Sequence, residues 1–332
     1  MRVLIVLPGA IGDVVRALPL LGRIRRGRPD ARIAWAVEPL SAPLLAPHPW
    51  LDEVLVFRRD EGLRALPPLI RQLRAGRWEV ALDLGRGLKS AFLARVTGAP
   101  VRIAFGRHDA REGSWLLATR RLPAQGTERR KLEQFLAFGD ALGVPAAPVV
   151  FGRVPSSEEA AQAEALLAGL RRPVVAACVG SSCPARHWFP GPTAAVVNGL
   201  ADRLQGSAIL VGTGADAAFG AAVARAARGP VRDLIGRTSL RQLVAVLQRC
   251  ALAFGPDSGA LHVAAAVGTP VVSLWGATSA QRSAPFGWER LALQGTAPCA
   301  PCFLRECPIG RVCMTTITPE LVLEKAREVL AA

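Results

Sequence analysis

The sequence predicts an α/β protein made of two doubly wound parallel-sheet domains. Three observations carry this. Short, fully apolar runs alternate with helical patterns along the whole chain. The alternation restarts after a Pro/Gly/Ser-rich stretch at 146–157. The length of 332 residues is too great for one ordinary domain and suits two. The boundaries expected are 1–155 and 156–332, with a final helix, 319–330, free to pack back on the joint.

In the first half, the strand candidates are Arg2–Leu7, Arg32–Val37, Glu53–Val56, Val80–Leu84 and Val101–Ala104. Helical patterns lie between them at Val14–Arg26, Ala65–Arg74 and Lys89–Val96, with another over 129–142. After the joint, a polar helix at 157–170 leads into strands at Pro173–Val179, Ala208–Val211, Val231–Leu234, Ala251–Phe254 and Val271–Trp275. The two halves share no visible sequence repeat. Two such domains facing each other leave a central cleft lined by the carboxyl ends of both sheets, where ligands bind.

The stretch 254–278, FGPDSGALHVAAAVGTPVVSLWGAT, is the most informative. Gly255-Pro256 reads as the stop of a buried strand. Asp257-Ser258-Gly259 supplies N-cap chemistry for a short helix beginning near Ala260 and closed by Gly268. A strand followed by a capped helix puts free N–H groups and a positive helix end at the sheet edge, which suits an anion, most often a phosphate. His262 lies one turn into that helix, within reach of the same anion.

Composition narrows the function classes. Half the chain (51%) is hydrophobic, but no apolar run reaches the length of a membrane span. The N-terminal run Met1–Leu7 passes directly into Pro8-Gly9-Ala10-Ile11-Gly12-Asp13, without a cleavage pattern, so it reads as a first buried strand of a cytoplasmic protein. The net charge of +15 points to an anionic partner. Only three of the basic residues are lysines (Lys89, Lys131 and Lys325), and so strong a bias to Arg, Ala, Gly and Pro is also what genome composition produces. The absence of Tyr and of basic runs interleaved with aromatics speaks against nucleic acid.

Five segments, in order, resemble glycosyltransferase family 9, the lipopolysaccharide heptosyltransferases. They are Ile11-Gly12-Asp13-Val14-Val15 with Leu18-Pro19-Leu20; Leu82-Asp83-Leu84-Gly85-Arg86-Gly87-Leu88-Lys89-Ser90; Arg186-His187-Trp188; Gly236-Arg237-Thr238-Ser239-Leu240; and Asp257-Ser258-Gly259 with His262 and Trp275-Gly276-Ala277-Thr278. Lys89-Ser90 and Ala110-Arg111-Glu112 lean toward the heptosyltransferase I type. The resemblance implies a GT-B fold, with acceptor bound by the first domain and ADP-heptose by the second. It implies inverting transfer of heptose to the Kdo region of lipid A, at the cytoplasmic face of the inner membrane.

On that resemblance Asp13 is the base that takes the proton of the attacking hydroxyl; its position also suits a plain N-cap of the helix beyond it. Gly9 and Gly12 would let the backbone turn tightly beside a sugar or phosphate. Ser258 and Gly259 would hold the diphosphate through N–H groups, with His262 donating to it. Asp257 would repel a diphosphate, so a cap, an orienting role or a heptose contact is left to it. Arg186 stands where the family usually has Lys, leaving open whether Arg186 or His187 stabilises the departing ADP. Arg86, Lys89 and Gly12 would face the anionic lipid A–Kdo acceptor; Arg58 and Arg59 lie near candidate strand ends too, but read first as solvated surface charge. The chain has no Asp-x-Asp, the metal clamp of other sugar transferases, so no essential divalent ion is expected.

Two other motifs compete. Gly212-Thr213-Gly214 opens a G-x-G-x-x-A pattern after a strand, with Asp233 about 20 residues on, as a nicotinamide-dependent oxidoreductase would have it. The reading preferred is a turn bordering the adenosine pocket, and NADH binding without ADP protection would overturn it. A noncatalytic nucleotide-sugar binder is the third class. Finally, Cys299, Cys302, Cys307 and Cys313 have the density of a structural zinc site, but spacings of no standard finger, so free thiols are favoured over zinc or disulfides.

Overall fold

A computed structural model describes residues 1–229 and 231–330. The chain divides into two compact units, Met1–Arg153 and Val154–Ala332.

The first unit holds six strands: β1 (Arg2–Val6), β2 (Arg32–Val37), β3 (Glu53–Val56), β4 (Val80–Asp83), β5 (Val101–Ala104) and β6 (Arg120–Arg121). All pair in parallel, in the order β3-β2-β1-β4-β5-β6. Its helices are α1 (Ile11–Gly27), α2 (Leu66–Ala75), α3 (Leu88–Val96) and α4 (Lys131–Ala141). The second unit repeats the plan: β7 (Val174–Cys178), β8 (Ser207–Val211), β9 (Val231–Asp233), β10 (Leu252–Pro256), β11 (Val271–Trp275) and β12 (Ala292–Gln294), in the order β12-β11-β10-β7-β8-β9. Its helices are α5 (Ser157–Leu167), α6 (Pro190–Leu204), α7 (Ala217–Ala226), α8 (Leu240–Gln248), α9 (Gly259–Ala266), α10 (Ala280–Ser283), α11 (Val312–Thr315) and α12 (Pro319–Leu330).

The apolar runs become strands because helices cover both faces of each sheet. β7, β8, β10 and β11 are buried at every position. Helix starts are written locally: Ser156 with Glu159, and Ser239 with Gln242, form reciprocal capping boxes at α5 and α8. Buried Arg23 of α1 ties that helix to the far end of α4, donating to the carbonyls of Leu136, Val144 and Pro145 and pairing with Asp140 at 2.7 Å. α12 lies on α6, where Gly199 leaves room for Leu323; a Cβ there would meet its Cδ1 at 2.8 Å.

Three departures from the sequence reading bear on the sites. α1 begins at Ile11, so Gly12 and Asp13 lie inside the helix and Ala10 is its N-cap; Gly12 therefore makes no turn, and Asp13 is not the cap. β10 runs through Gly255-Pro256 instead of stopping at Phe254. Gly255 has φ +150°, and a Cβ there would fall 2.0 Å from the Cys178 carbonyl oxygen, so glycine lets β10 lie tight against β7. β6 and β12 are edge strands of two and three residues that carry no apolar run.

In each sheet the strand order reverses once, between β1 and β4 and between β7 and β10. Ligands of such sheets bind beyond the carboxyl ends of the strands at that switch point.

Candidate active site

In the second unit the switch point is flanked by the segment after β7 and the segment after β10. The β7 segment carries Ser181, a one-turn helix Pro184–Arg186, and His187. Arg186 Nη1 pairs with Asp257 Oδ2 at 3.1 Å, bridging the two segments. Thr278, after β11, donates its hydroxyl to the same carboxylate oxygen at 2.9 Å, and Ser181 Oγ donates to the Asp257 carbonyl at 2.9 Å. Asp257 is only 6% exposed. Its carboxylate thus neither caps α9 nor stands as a bare charge: Arg186 balances it and Thr278 fixes it.

Arg186 and His187 differ in their contacts. His187 Nε2 lies 2.8 Å from the Ser181 carbonyl and 3.0 Å from the Ser181 amide, so the ring is tied back to its own loop. Arg186 keeps part of its side chain accessible, and its Nε is buried without a hydrogen-bond partner.

α9 starts at Gly259. Ser258 is its N-cap in extended conformation (φ −151°, ψ 160°), and its hydroxyl makes no cap bond. Ser258 Oγ is buried with no hydrogen-bond partner, an uncommon state for a polar atom and one that a ligand can relieve. The first N–H groups of a helix have no partner within it. His262 is 4% exposed, packed into α9. Gly212 and Gly214 flank a turn closed on itself: Asp216 accepts both the N–H and the hydroxyl of Thr213 at 2.8 Å. Asp233 accepts from the Ile235 amide at 2.9 Å, a local turn contact.

In the first unit, Asp13 lies in the first turn of α1, just past the end of β1. Arg16 Nη1 pairs with its carboxylate at 2.6 Å and Lys131 Nζ, at the start of α4, at 3.3 Å. Burial pushes the Asp13 carboxyl up, but Lys131 and Arg16 together outweigh it and leave its pKa below the ordinary value. Sequence reading missed Lys131; a partner 118 positions away leaves no local signal.

Of the expected acceptor cations, Lys89 and Arg86 are engaged by partners within the first unit. Lys89 is bonded to the Glu38 carboxylate and stands 5.3 Å over the Phe57 ring. Arg86 is drawn into bracing: it donates to the Asp109 carbonyl and the Gln134 side chain and lies 4.0 Å over the Phe105 ring. Lys89, partly accessible, is the better placed of the two to meet a ligand. Arg58 is exposed, 3.8 Å from Glu61; the side chain of Arg59 lies outside the described residues. Gly9 remains in the turn between β1 and α1.

Among the described residues, no group of three or more His, Cys, Asp or Glu side chains is placed to hold a metal ion. All seven cysteines are free thiols, and burial with the neighbouring thiols pushes Cys313 up in pKa. Nor is any helix among the described residues long and apolar enough to cross a membrane.

The model of glycosyltransferase family 9 (heptosyltransferase) matches residues 67–313. The chain belongs to glycosyltransferase family 9. The family 9 chain is 26% identical over 280 residues to the lipopolysaccharide core heptosyltransferase OpsX of Haemophilus influenzae, covering 83% of this chain and 79% of that one. It superposes on E. coli ADP-heptose lps heptosyltransferase II with a TM-score of 0.79 at 24% identity, over 100% of this chain and 99% of that one. E. coli heptosyltransferase WaaC with ADP gives 0.75 at 21% identity, over 99% of both. The two doubly wound units are therefore those of a GT-B fold.

Proposed function

We propose that this family 9 glycosyltransferase moves heptose from ADP-heptose, with inversion, to the Kdo/inner-core region of lipid A. The observation that carries the donor half is the vacant hydrogen-bonding capacity at the second switch point. The α9 N-terminus, the buried Ser258 hydroxyl and the Arg186 fork meet where the strand order reverses. A diphosphate placed there gains the helix dipole and the cation, and the departing ADP is stabilised by groups already in position. No metal clamp is needed for that charge, so the reading is metal-independent transfer. WaaC with ADP supports the nucleotide.

Asp13 is the base of the acceptor half. Held low by Lys131 and Arg16, it is ionised throughout the neutral range. A weak base suits a transition state in which the sugar carries oxocarbenium character and the hydroxyl proton leaves late. Lys89 and Glu38 line the same sheet edge for an anionic acceptor. On the same unit, Leu88 and Phe92 of α3 are 47% and 42% exposed and Leu116 is 63% exposed, with exposed Arg107 and Arg111 outside the strands and helices and exposed Arg121 in β6. Apolar side chains among cations suit contact with an anionic membrane surface presenting a lipid acceptor.

The test is transfer from ADP-heptose to Kdo-lipid A, followed by mass spectrometry with and without EDTA. The expected result is one added heptose, unaffected by EDTA, and no product from Asp13→Asn. Product from a different donor alone would overturn the heptose assignment, and loss of turnover in EDTA would overturn the metal-free mechanism.

A further inference from the structure

The four-cysteine stretch, 299–313, is a sequence motif that the proposed reaction leaves without a task. Its contacts assign one. Arg311 is the N-cap of α11 and has left-handed backbone, φ 61° and ψ 44°. Its Nη1 donates to the carbonyls of His187 at 2.9 Å and Trp188 at 3.2 Å, and its guanidinium lies 4.6 Å over the Phe189 ring. Upstream, the Ala185 amide donates to the Arg305 carbonyl at 3.1 Å, and the Cys183 thiol to the same oxygen at 3.1 Å. The chain on both sides of Arg186 is thus gripped by one segment: Ala185 by Arg305, His187 and Trp188 by Arg311.

The gripping segment is itself anchored. The Phe303 amide donates to the Ala277 carbonyl at 2.7 Å, one residue before Thr278, and the Arg311 amide to Cys307 Sγ at 3.1 Å. Cys302 and Cys307 pack against Cys183, Ala185 and Ala277. Two non-glycine residues, Phe303 and Arg311, hold positive φ in this stretch. L-residues keep that conformation where surrounding contacts over-determine it.

We propose that Arg311 is a positioning residue for the donor site, holding the 184–188 segment so that Arg186 is presented at Asp257 and at the donor diphosphate. The cysteines serve this as compact packing around the grip. Arg311 meets no substrate; it acts through Arg186. The proposal rests on the reading that Arg186 contacts the donor.

The test is a double-mutant cycle in the full chain with Arg186→Ala and Arg311→Met, reading donor KM, acceptor KM and ADP affinity by calorimetry. Arg311→Lys is the conservative variant, keeping charge but losing the paired donors. Arg311→Met is expected to raise donor KM and the ADP Kd about tenfold, the effect of losing charge-assisted hydrogen bonds, with acceptor KM unchanged. Arg311→Lys should recover part of that loss. The double variant should be no worse than Arg186→Ala alone, because residues acting as a unit are non-additive. Multiplying effects, or an Arg311→Met enzyme with unchanged donor KM beside a damaged Arg186→Ala enzyme, would overturn the positioning role. An Arg186→Ala enzyme with unchanged donor KM would instead bring down the donor-contact reading. Should Arg311→Met fail to fold, Arg311→Lys and its double variant complete the cycle under the same criteria.

Discussion

Asp83 gives the sharpest prediction about the first switch point. It ends β4, is 3% exposed, and accepts the Gly85 amide at 3.0 Å, with Ser90 as its other partner. Burial pushes its pKa from 3.8 to about 7, against the opposing pull of those two hydrogen bonds. The folded state therefore holds this proton more tightly than the unfolded chain does. Stability from the group is full below 3.8, declines as pH rises, and is gone above about 7. At about 1.4 kcal/mol per pKa unit, the rise from about pH 5 to about pH 8 costs roughly 3 kcal/mol. Asp83→Asn keeps an acceptor for the Gly85 amide and removes the titration. Urea unfolding of both proteins at several pH values, followed by tryptophan fluorescence, gives the difference directly. The variant should gain roughly 3 kcal/mol on the wild type over that interval. A difference independent of pH would refute the reasoning, because it would mean that Asp83 titrates alike folded and unfolded.

Four further outcomes follow. Asp13→Asn should lower kcat by about 10² to 10⁴ with donor KM unchanged. Lys131→Met should move the acid limb of kcat/KM toward neutrality, since Lys131 helps to keep the Asp13 carboxyl low; a pH–rate profile checks both. Asp257→Ala should weaken ADP binding about tenfold, because it frees Arg186 from its anchor; tighter binding by calorimetry would mean that Asp257 only repels the diphosphate. Gly255→Ala should cost about 3 kcal/mol or more, measured by chemical denaturation, since its Cβ meets the Cys178 carbonyl at 2.0 Å and its backbone lies where L-residues are strained.

Most of the architecture was legible because buried parallel strands are spelled in β-branched and aliphatic runs. Arg32–Val37, Glu53–Val56, Val101–Ala104 and Val271–Trp275 have the ends expected of them. The edge strands β6 and β12 escaped because two or three residues, partly solvated, need no apolar pattern. The start of α1 was misplaced because Ala10 caps it without a side-chain bond, so no Ser, Thr, Asp or Asn marks it. Gly255-Pro256 looked like punctuation, yet glycine tolerates φ +150°, where L-residues are strained, and so carries the strand onward. Of the candidate site, the sequence shows the residues that share one segment at the start of α9: Asp257, Ser258, Gly259. It does not show what neutralises them. Arg186 reaches Asp257 from 71 positions away, and Lys131 reaches Asp13 from 118, pairings that exist only once the sheets have formed. The Arg311 grip is of the same kind: it reaches the His187 and Trp188 carbonyls from 124 and 123 positions away.

The scarcity of lysine has a practical side. Of 41 basic side chains only three are amines, and two of those, Lys89 and Lys131, sit against Glu38 and Asp13 at the carboxyl edge of the first sheet. Reductive methylation keeps the charge of an amine. Isotope-labelled methyl groups would therefore place two magnetic reporters beside the proposed acceptor residues, with Lys325 in α12 as an internal reference and the chain's amino terminus as the other reactive amine. The protein is thus built for watching ionisation and acceptor arrival by NMR, in a spectrum of very few lines.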